Sequence, residues 1–218
     1  MSVGAQIGGA MAVFDHLAIA AESLSAGVAW TETALGVPLE PGGVHPLMGT
    51  HNALLSLGPT AYLEVIAINP AIEAPVHPRW FALNDFGGAP RLRAWILRVD
   101  DLDAALALAP PGAGRPVALS RGDLRWRMAI PKDGWLPYDG LFPGLISWSG
   151  AAHPAQRLID RGVRLSALTL QHPQAFELGQ ALARVGVRPD TGPRLEVRRG
   201  PVAITARLQT PTGARSLA

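Results

Sequence analysis

Three segments of the chain share one pattern of apolar and polar positions. In each, apolar residues alternate with polar ones, a polar step follows, and apolar residues then recur at helical spacing. The segments cover residues 13–37, 91–114 and 164–187. Ser23 and Asp101 stand at the polar steps of the first two segments, where a helix-capping side chain is expected. The pattern therefore predicts three strand–helix units.

Further strands are predicted after each helix. "GTHNALLSLG" at residues 49–58 and "AYLEVIAINP" at residues 61–70 predict a strand pair around a Gly-Pro turn. "PRLEVRRG" at residues 193–200 and "PVAITARLQTPTG" at residues 201–213 predict another hairpin. Connections of hairpin length can join only antiparallel neighbours. The sequence therefore predicts an α+β fold with mixed, mostly antiparallel sheets.

Composition narrows the class of protein. Hydrophobic residues make up 48% of the 218-residue chain and charged residues 17%, which favours a folded core over disorder. The net charge is +2 and no basic stripe is present, so no nucleic-acid partner is expected. Cysteine is absent, which excludes disulfides, thiolate zinc sites and cysteine nucleophiles. Without a signal peptide or a membrane-length apolar stretch, we expect a soluble, cytoplasmic protein with no membrane partner.

Two ionisable residues interrupt otherwise apolar strands. His16 lies in "FDHLAIA" and Glu64 lies in "AYLEVIAI". A carboxylate in a buried strand is costly to desolvate unless something positive lies beside it. No Lys or Arg occurs between residues 1 and 78. The positive partner of Glu64 is therefore a histidinium, a residue from elsewhere in the chain, or a metal ion.

A third candidate, His51, belongs to the strand that precedes Glu64. A two-residue turn at residues 59–60 would place His51 opposite Ile68, on the face of the sheet that carries Glu64. The two side chains would then be roughly 13 Å apart along the ladder. A register slip of one residue would instead put them on opposite faces.

The remaining histidines adjoin prolines. His45 and His77 are predicted to be solvated loop residues, and His153 and His172 to be loop or helix-cap residues.

The quoted segments carry a resemblance to a known family. "FDHLAIAAESLSAGVAWTETALGVPLEPGG", "GTHNALLSLG" and "YLEVIAINP" resemble the glyoxalase-like branch of the vicinal oxygen chelate superfamily, and "LFPGLISWSGAAHP" is similar to a later segment of that branch. The resemblance implies βαβββ modules that curl around a cleft with a divalent metal ion (Zn, Mn, Ni or Fe). It implies His16 and Glu64 as metal ligands, and His51 matches the histidine of the "GTHNAL" segment. A metal-dependent lyase, isomerase or dioxygenase acting on a small oxygen-chelating substrate is the implied function.

The resemblance also predicts how the chain is divided into structural units. Residues 1–11 are predicted to be a loose tail and residues 12–70 the first βαβββ module. Residues 71–90 are predicted to be a Pro-rich link and residues 91–155 the second module. Residues 156–218 are predicted to form a third, partial βαββ unit, with all units packed as one glyoxalase-like domain.

The sequence departs from the full metal pattern of the family. Alignment of the two modules puts Ala94 where His16 stands, and "GLISWSG" has no carboxylate. At most one module therefore supplies ligands. This leaves open a metal-free small-molecule-binding protein of the same fold, as in bleomycin resistance, and a homodimer.

Three residues are predicted to contact the substrate. Arg98 shares the face of Ala94 and would point into a cleft between the modules. Arg127 lies on an alternating strand and is either solvated or a binding residue for an acidic substrate. Trp148 is predicted to stand at the place of the missing second-module ligand and to form a wall of the pocket.

Overall fold

The structure, a computed structural model, describes residues 12–188 and 192–218, so the predicted tail at residues 1–11 lies outside the described residues. The described part contains three α-helices, which are α1 (Leu24–Leu35), α2 (Leu102–Leu108) and α3 (Ala175–Arg184). Its strands, in chain order, are β1 (Val13–Ala20), β2 (Glu40–His45), β3 (Thr50–Ser56), β4 (Tyr62–Ile68), β5 (Arg91–Arg98), β6 (Arg115–Arg121), β7 (Leu124–Ile130), β8 (Gly144–Trp148), β9 (Arg164–His172), β10 (Arg194–Arg199), β11 (Ala203–Thr210) and β12 (Gly213–Leu217).

The first two helices begin where their capping residues predict. The Ser23 side chain accepts a hydrogen bond from the backbone N–H of Ala26, and the Asp101 side chain accepts one from Ala104. These side chains satisfy backbone donors that the first helical turn leaves without a partner. Helix α1 ends at Gly36, whose φ of 71° is the left-handed conformation that glycine adopts readily.

Eight strands form one large sheet in the order β2-β3-β4-β1-β5-β8-β7-β6. The pairs β1–β4 and β5–β8 are parallel and the other pairs are antiparallel, so the predicted α+β fold with mixed, mostly antiparallel sheets is confirmed. At the centre, His16 pairs with Ile96 and Ala18 pairs with Ala94. The two pairs are related by a local two-fold axis between β1 and β5, which makes Ala94 the equivalent of His16 and Ile96 the equivalent of Ala18. The two halves of the sheet are therefore related by this axis.

The large sheet curls into a half-barrel, and Arg121 bridges its two edges. Arg121 is the last residue of β6, yet its guanidinium donates hydrogen bonds to His45 at the end of β2 and to Asn52 in β3. The distances are 3.2 Å to His45 Nε2 and 3.0 Å to Asn52 Oδ1. The concave face is therefore closed by side chains from both halves.

Strand β1 separates two apolar cores because its side chains alternate between the faces of the sheet. Leu17 and Ile19 pack on the convex side, in the core that also contains Leu168 of β9 and Leu208 of β11. Ala18 belongs to the core of the concave side. The concave face therefore has small residues at its centre, which leaves room there for polar side chains.

The smaller sheet has the order β10-β9-β11-β12, and it differs from the predicted topology. Residues 193–200 and 201–213 were expected to form a hairpin, but β10 pairs parallel to β9 and β11 pairs antiparallel to β9. The predicted hairpin is wrong because β9 lies between these two strands. The tight turn instead joins β11 to β12.

The register of β3 and β4 differs by one residue from the predicted register. The loop has three residues, 58–60, and the Leu57 N–H donates to the Ala61 carbonyl across it. His51 therefore pairs with Ala67, and Leu54 pairs with Glu64. Since paired residues of antiparallel strands project to the same face, this slip puts Glu64 and His51 on opposite faces.

A short 3-10 segment, Trp80–Asp85, lies against the concave face. It falls within the predicted Pro-rich link, yet its first four residues are buried. Phe81 and Ala82 have φ of 56° and 50°, the left-handed region that is unfavourable for residues with a Cβ. Two hydrogen bonds hold this backbone: Arg93 donates to the Phe81 carbonyl, and the Ala82 N–H donates to Gly134.

Candidate functional site

A row of three buried ionisable side chains crosses the concave face. Asp15, His16 and Glu64 are 0%, 4% and 6% exposed. Asp15 Oδ1 lies 2.6 Å from His16 Nδ1, and His16 Nε2 lies 3.5 Å from Glu64 Oε1. The imidazole is therefore held between two carboxylates, with one ring nitrogen directed toward each.

Asp15 and His16 are adjacent in β1, and a regular strand would send them to opposite faces. The pairing with β5 shifts between Phe14 and His16, which pair with Leu97 and Ile96, so Asp15 is the extra residue of a β-bulge. A bulge re-aims one side chain of the strand. The neighbouring Asp15 carboxylate can thereby contact the ring of His16.

Asp15 also binds three side chains from the second half of the chain. His153 Nε2 lies 3.0 Å, Trp148 Nε1 3.1 Å and Arg98 NH1 3.6 Å from Asp15 Oδ2. Since His153 Nδ1 accepts from the Ala155 N–H, its Nε2 carries the hydrogen that Asp15 accepts. Burial of Asp15 favours its neutral form, but the hydrogen bonds from His153 and His16 outweigh burial and hold its pKa well below the usual range.

His16 is held in its protonated form by its neighbours. Burial would lower the pKa of the imidazole, but the hydrogen bonds to Asp15 and Glu64 raise that pKa to about 9. Burial raises the pKa of Glu64, and the hydrogen bond with His16 more than reverses this, so the net shift is downward. The Tyr62 ring stacks on the His16 ring at 4.4 Å between centroids. The geometry therefore corresponds to an imidazolium between two carboxylates.

Asn52 fixes the second oxygen of Glu64. Its amide nitrogen donates to Glu64 Oε2 at 2.8 Å, and its Oδ1 accepts from Arg121 and from the Gly43 N–H. The side-chain amide of Asn52 cannot flip, because its oxygen and its nitrogen each have fixed hydrogen-bond partners. The residue of "GTHNAL" that reaches the site is therefore Asn52 rather than His51.

His45 was expected to be solvated, and that prediction is wrong: the side chain is buried, 5% exposed. Its Nε2 accepts from Arg121 and its Nδ1 lies 3.1 Å from Thr50 Oγ1. Burial is the main reason that the pKa of His45 falls to about 4, and the Arg121 charge lowers it further. His45 is therefore a neutral imidazole that positions the guanidinium.

A small cavity of about 30 Å³ lies beside this row of ionisable side chains, with room for about one water molecule. Its polar lining consists of His16, His45, Asn52, Tyr62, Glu64 and Arg121. Its other walls are mainly aromatic and apolar. They include Trp80, Phe81, Trp126, Met128, Ile146 and Trp148. The Trp80 indole N–H is buried and has no hydrogen-bond partner among the described residues. A buried donor in this position is suited to an acceptor atom of a ligand.

The predicted site residues divide into two groups. His16 and Glu64 face each other, Trp148 lines the small cavity, and Arg98 reaches Asp15. His51 lies on the other face of β3, where it lines a separate groove beside α1. These placements leave the predicted roles of the five residues as predictions.

Arg127, the remaining predicted binding residue, is directed away from the small cavity. Its guanidinium forms a two-pronged ion pair with Asp103 of α2, at 2.8 and 3.0 Å, and both side chains are solvent-exposed. Alternation along β7 explains this, since Trp126 and Met128 take the concave face.

The second half of the sheet has no equivalents of His16 and Glu64. Ala94 corresponds to His16 across the local two-fold axis. Glu64 pairs with Ala18, and the equivalent pairing in the other half is Gly144 with Ile96. The missing carboxylate therefore corresponds to Gly144, and the expectation that Trp148 stands in that place is wrong.

The residues present do not fit the divalent metal ion that the family resemblance implies. Within residues 12–188 and 192–218, no three His, Asp or Glu side chains are arranged to hold a metal ion. One nitrogen of His16 is hydrogen-bonded to Asp15, and Arg121 places a positive charge beside Asn52, whose amide donates to Glu64. Both the guanidinium and the unpartnered Trp80 N–H favour an oxygen atom in the cavity over a cation.

A family comparison agrees with this architecture. A model described as "Glyoxalase-like domain" matches residues 14–186, which is most of the chain. The chain belongs to this family. The glyoxalase-like domains are members of the vicinal oxygen chelate superfamily, so the resemblance found in the sequence is confirmed.

Several solved structures are similar to this glyoxalase-like chain at low sequence identity. A hypothetical protein from Staphylococcus aureus has a TM-score of 0.63 and 13% identity, with 88% of each chain covered. A methylmalonyl-CoA epimerase from Mycobacterium tuberculosis has a TM-score of 0.41 and 26% identity over 70% of this chain and 94% of that chain. A variant of the Streptomyces coelicolor methylmalonyl-CoA epimerase, in complex with 2-nitronate-propionyl-CoA, has a TM-score of 0.45 and 19% identity over 64% of this chain and 99% of that chain. No curated protein matches this glyoxalase-like chain.

None of the helices in the described ranges combines the length and the apolar character that crossing a bilayer requires.

Proposed function

We propose that this glyoxalase-like protein binds a small oxygen-bearing molecule on its concave face and transfers a proton on it through His16 and Glu64. The observation that supports the proposal is the buried imidazole held between Asp15 and Glu64, at 2.6 and 3.5 Å. General acid–base catalysis needs such a pair of groups with fixed orientation and separated proton affinities.

Each group would have a distinct role in this proposal. Asp15 holds the Nδ1–H of His16, which leaves Nε2–H directed at Glu64 and the cavity. Glu64, ionised and oriented by Asn52, would accept a proton from the carbon next to a ligand oxygen. His16 would supply the proton that the product requires. Asp15 does not touch the ligand and is therefore a positioning residue.

The charge around the small cavity favours an oxygen that becomes negative during the reaction. The carboxylates of Asp15 and Glu64 face three cationic side chains, which are His16, Arg98 and Arg121. The Trp80 N–H adds a buried donor without a partner among the described residues. Fixed donors in a water-poor site stabilise a developing oxyanion strongly, because they need no reorganisation during the step.

The test is hydrogen exchange on the ligand in D₂O, followed by NMR over a panel of small 2-oxo acids and hydroxyketones. We expect the wild type to introduce deuterium next to the carbonyl, and His16→Gln and Glu64→Gln to reduce the rate by about 10²-fold or more. His51→Gln is the matched control, because His51 lies on the opposite face of the sheet. Equal rates for His16→Gln and His51→Gln would refute the proposal.

A metal-free binding protein is the second candidate, since the walls of the cavity beside His16 are mainly aromatic and apolar, as in ligand-binding sites. A ligand that binds without any deuterium exchange in the wild type would favour this candidate.

The divalent-metal enzyme suggested by the family remains the third hypothesis. Its test is metal analysis of the purified protein and thermal shift with Zn²⁺, Mn²⁺, Ni²⁺ or Fe²⁺, with His16→Ala/Glu64→Ala as control. Stoichiometric metal that the double variant loses would restore this hypothesis.

A further inference from the structure

A second space on the concave side differs from the small cavity at His16 in size and charge. This end cleft has a volume of about 710 Å³, and its lining includes Leu47, Val76, His77, Arg115, Val117 and Lys132. Three of these residues are basic and none is acidic. A volume of this size matches the pockets that hold small organic molecules.

Strand register connects the end cleft to the small cavity. Arg115 pairs with Ile130 and Val117 pairs with Met128, so all four residues share the face of the sheet that forms the small cavity. Met128 lines that cavity, and Val117 and Ile130 line the end cleft. The two spaces are therefore about two residues, or roughly 7 Å, apart along β6 and β7.

The segment before the 3-10 turn separates the two spaces. Pro78 lines the end cleft, and Trp80 and Phe81 line the small cavity. A ligand that extends from the end cleft to His16 would pass this segment. The left-handed backbone at Phe81 and Ala82 is a strained arrangement of the kind that accompanies movable segments of binding sites.

The end cleft contains two permanently charged cations, Arg115 and Lys132. Arg115 and Lys132 are exposed and make no ion pair with any residue in the described ranges. Arg127 and Arg157 do form such pairs, with Asp103 and Asp123. The cations of the end cleft are thus available to a ligand.

A larger groove on the other face gives an internal comparison. It has a volume of about 1000 Å³, is lined by Glu22, Glu40 and His51 among mostly apolar residues, and has no Lys or Arg in its lining. An organic anion would therefore prefer the end cleft, although the groove is larger.

We propose that the end cleft binds an amphipathic organic anion, with its carboxylate or phosphate on Arg115 and Lys132 and its apolar part on Leu47, Val76 and Val117. This extends the proposed function, because the bound molecule would be the one that places its other end beside His16. The cations supply the charge complement, and the exposed Leu47 and Val76 supply apolar surface, 48% and 106% exposed.

The test uses 8-anilinonaphthalene-1-sulfonate, an amphipathic anion whose fluorescence rises on binding, with decanoate as competitor. We expect Arg115→Gln/Lys132→Gln to weaken binding about tenfold or more, since it removes both charge-assisted contacts. The matched control is Arg184→Gln/Arg207→Gln, which removes the same charge from exposed positions elsewhere. Unchanged affinity in the Arg115/Lys132 variant would overturn the proposal.

Substitutions at Val76 provide a second test, which keeps the native charges of the end cleft. Its side chain is fully exposed, so substitution should not affect folding. We expect Val76→Asp to weaken binding of the probe more than Val76→Lys does, because both remove apolar surface and only Asp adds a charge that repels an anion. Equal effects of the two variants would contradict an electrostatic site.

Two further measurements separate the alternatives. Inorganic phosphate should compete poorly, because it has no apolar part, and efficient competition would overturn the amphipathic assignment. Sedimentation with phosphatidylglycerol vesicles, lost in Arg115→Gln/Lys132→Gln, would assign the patch to a lipid surface and overturn a small-molecule site. His16→Gln should keep full probe binding, so failure of the proposed chemistry and failure of the end cleft are distinguishable.

Discussion

Replacing Asp15 by Asn tests the central arrangement of the site with almost no change of volume. The Asp15 carboxylate is 0% exposed and accepts from both sides. Its Oδ1 accepts from His16, and its Oδ2 accepts from Trp148 and His153. An amide has one acceptor oxygen, so its NH₂ group must face a donor on one side or the other.

The magnitude follows from these contacts. One buried donor left facing another donor costs about 1–3 kcal/mol. Loss of the negative charge beside the His16 imidazolium is the loss of one partner of a buried ion pair, which costs about 3–5 kcal/mol. His16 can lose its proton in the variant, which reduces the cost of the lost ion pair. We therefore expect Asp15→Asn to lower the free energy of unfolding by about 3 kcal/mol, or the melting temperature by roughly 10 °C.

Two assays follow the consequences separately. Urea unfolding measures the free energy of unfolding, and ¹H–¹⁵N NMR of the imidazole measures the pKa of His16, with His16→Gln to assign its signals. We expect the pKa to fall from about 9 by at least one unit in Asp15→Asn, because the largest favourable contact to the imidazolium is lost. Asp103→Asn is the control, since it breaks the exposed ion pair with Arg127 and should change stability little.

Two results would refute this reasoning. The first is a stability of Asp15→Asn equal to that of Asp103→Asn, which would mean that the buried contacts contribute nothing beyond a surface pair. The second is an unchanged pKa of His16, which would mean that Asp15 does not hold the proton on the ring.

Three further predictions test the surrounding structure. The free energy of unfolding should be greatest near pH 6.5. Neutral His45 stabilises the fold above pH 6.5, and this contribution is lost as the pH falls toward its folded pKa of about 4. Protonated His16 stabilises the fold below pH 6.5, and this contribution is lost as the pH rises through its folded pKa of about 9. Urea unfolding from pH 4 to pH 10 should show changes of up to about 3 kcal/mol on each side, and His45→Gln should flatten the acid side. Gly42→Ala should destabilise the protein by about 2 kcal/mol or more in the same assay, because the added Cβ would lie 2.1 Å from Asn52 Oδ1. Gly179→Ala should stabilise the protein by about 1 kcal/mol, because Gly179 lies in helix α3 and an added Cβ would meet open space. Ala82→Gly should raise the melting temperature by a few degrees, since glycine adopts the φ of 50° without strain, and an unchanged or lower melting temperature would show that this backbone is not strained.

Several elements of the fold were predictable because they have local signals in the sequence. Ser23 and Asp101 mark helix starts through their capping side chains, and the alternation of apolar residues marks β1, β4 and β5. The order of β9, β10 and β11 was not predictable in this way. Strand neighbours in a sheet depend on which apolar faces pack together, and turn residues between β10 and β11 are compatible with either arrangement.

The site was predicted in part, for a reason specific to each residue. His16 and Glu64 were found because an ionisable residue in an apolar strand needs a partner. Asp15 was missed because alternation puts it on the other face, and only the bulge brings it back; the one local signal is the pair of polar residues within "FDHLAIA". His51 was placed on the face of Glu64 because a two-residue turn was expected, whereas the loop at residues 58–60 has three residues, and Gly-Pro specifies loop length only weakly.

The asymmetry between the two halves of the sheet is the feature that most constrains the function. The first half supplies His16, Glu64 and Asn52, and the second half presents Ala94 and Gly144 at the equivalent positions. A metal site between the modules would need ligands at these two positions, but neither alanine nor glycine has a side-chain atom that can bind a metal ion. The second half contributes cations and N–H donors instead, from Arg121, Arg98 and Trp148. A site built from carboxylates on one side and N–H donors on the other is suited to hold and transfer protons near a ligand oxygen without a metal ion, which is why we propose proton transfer for these residues.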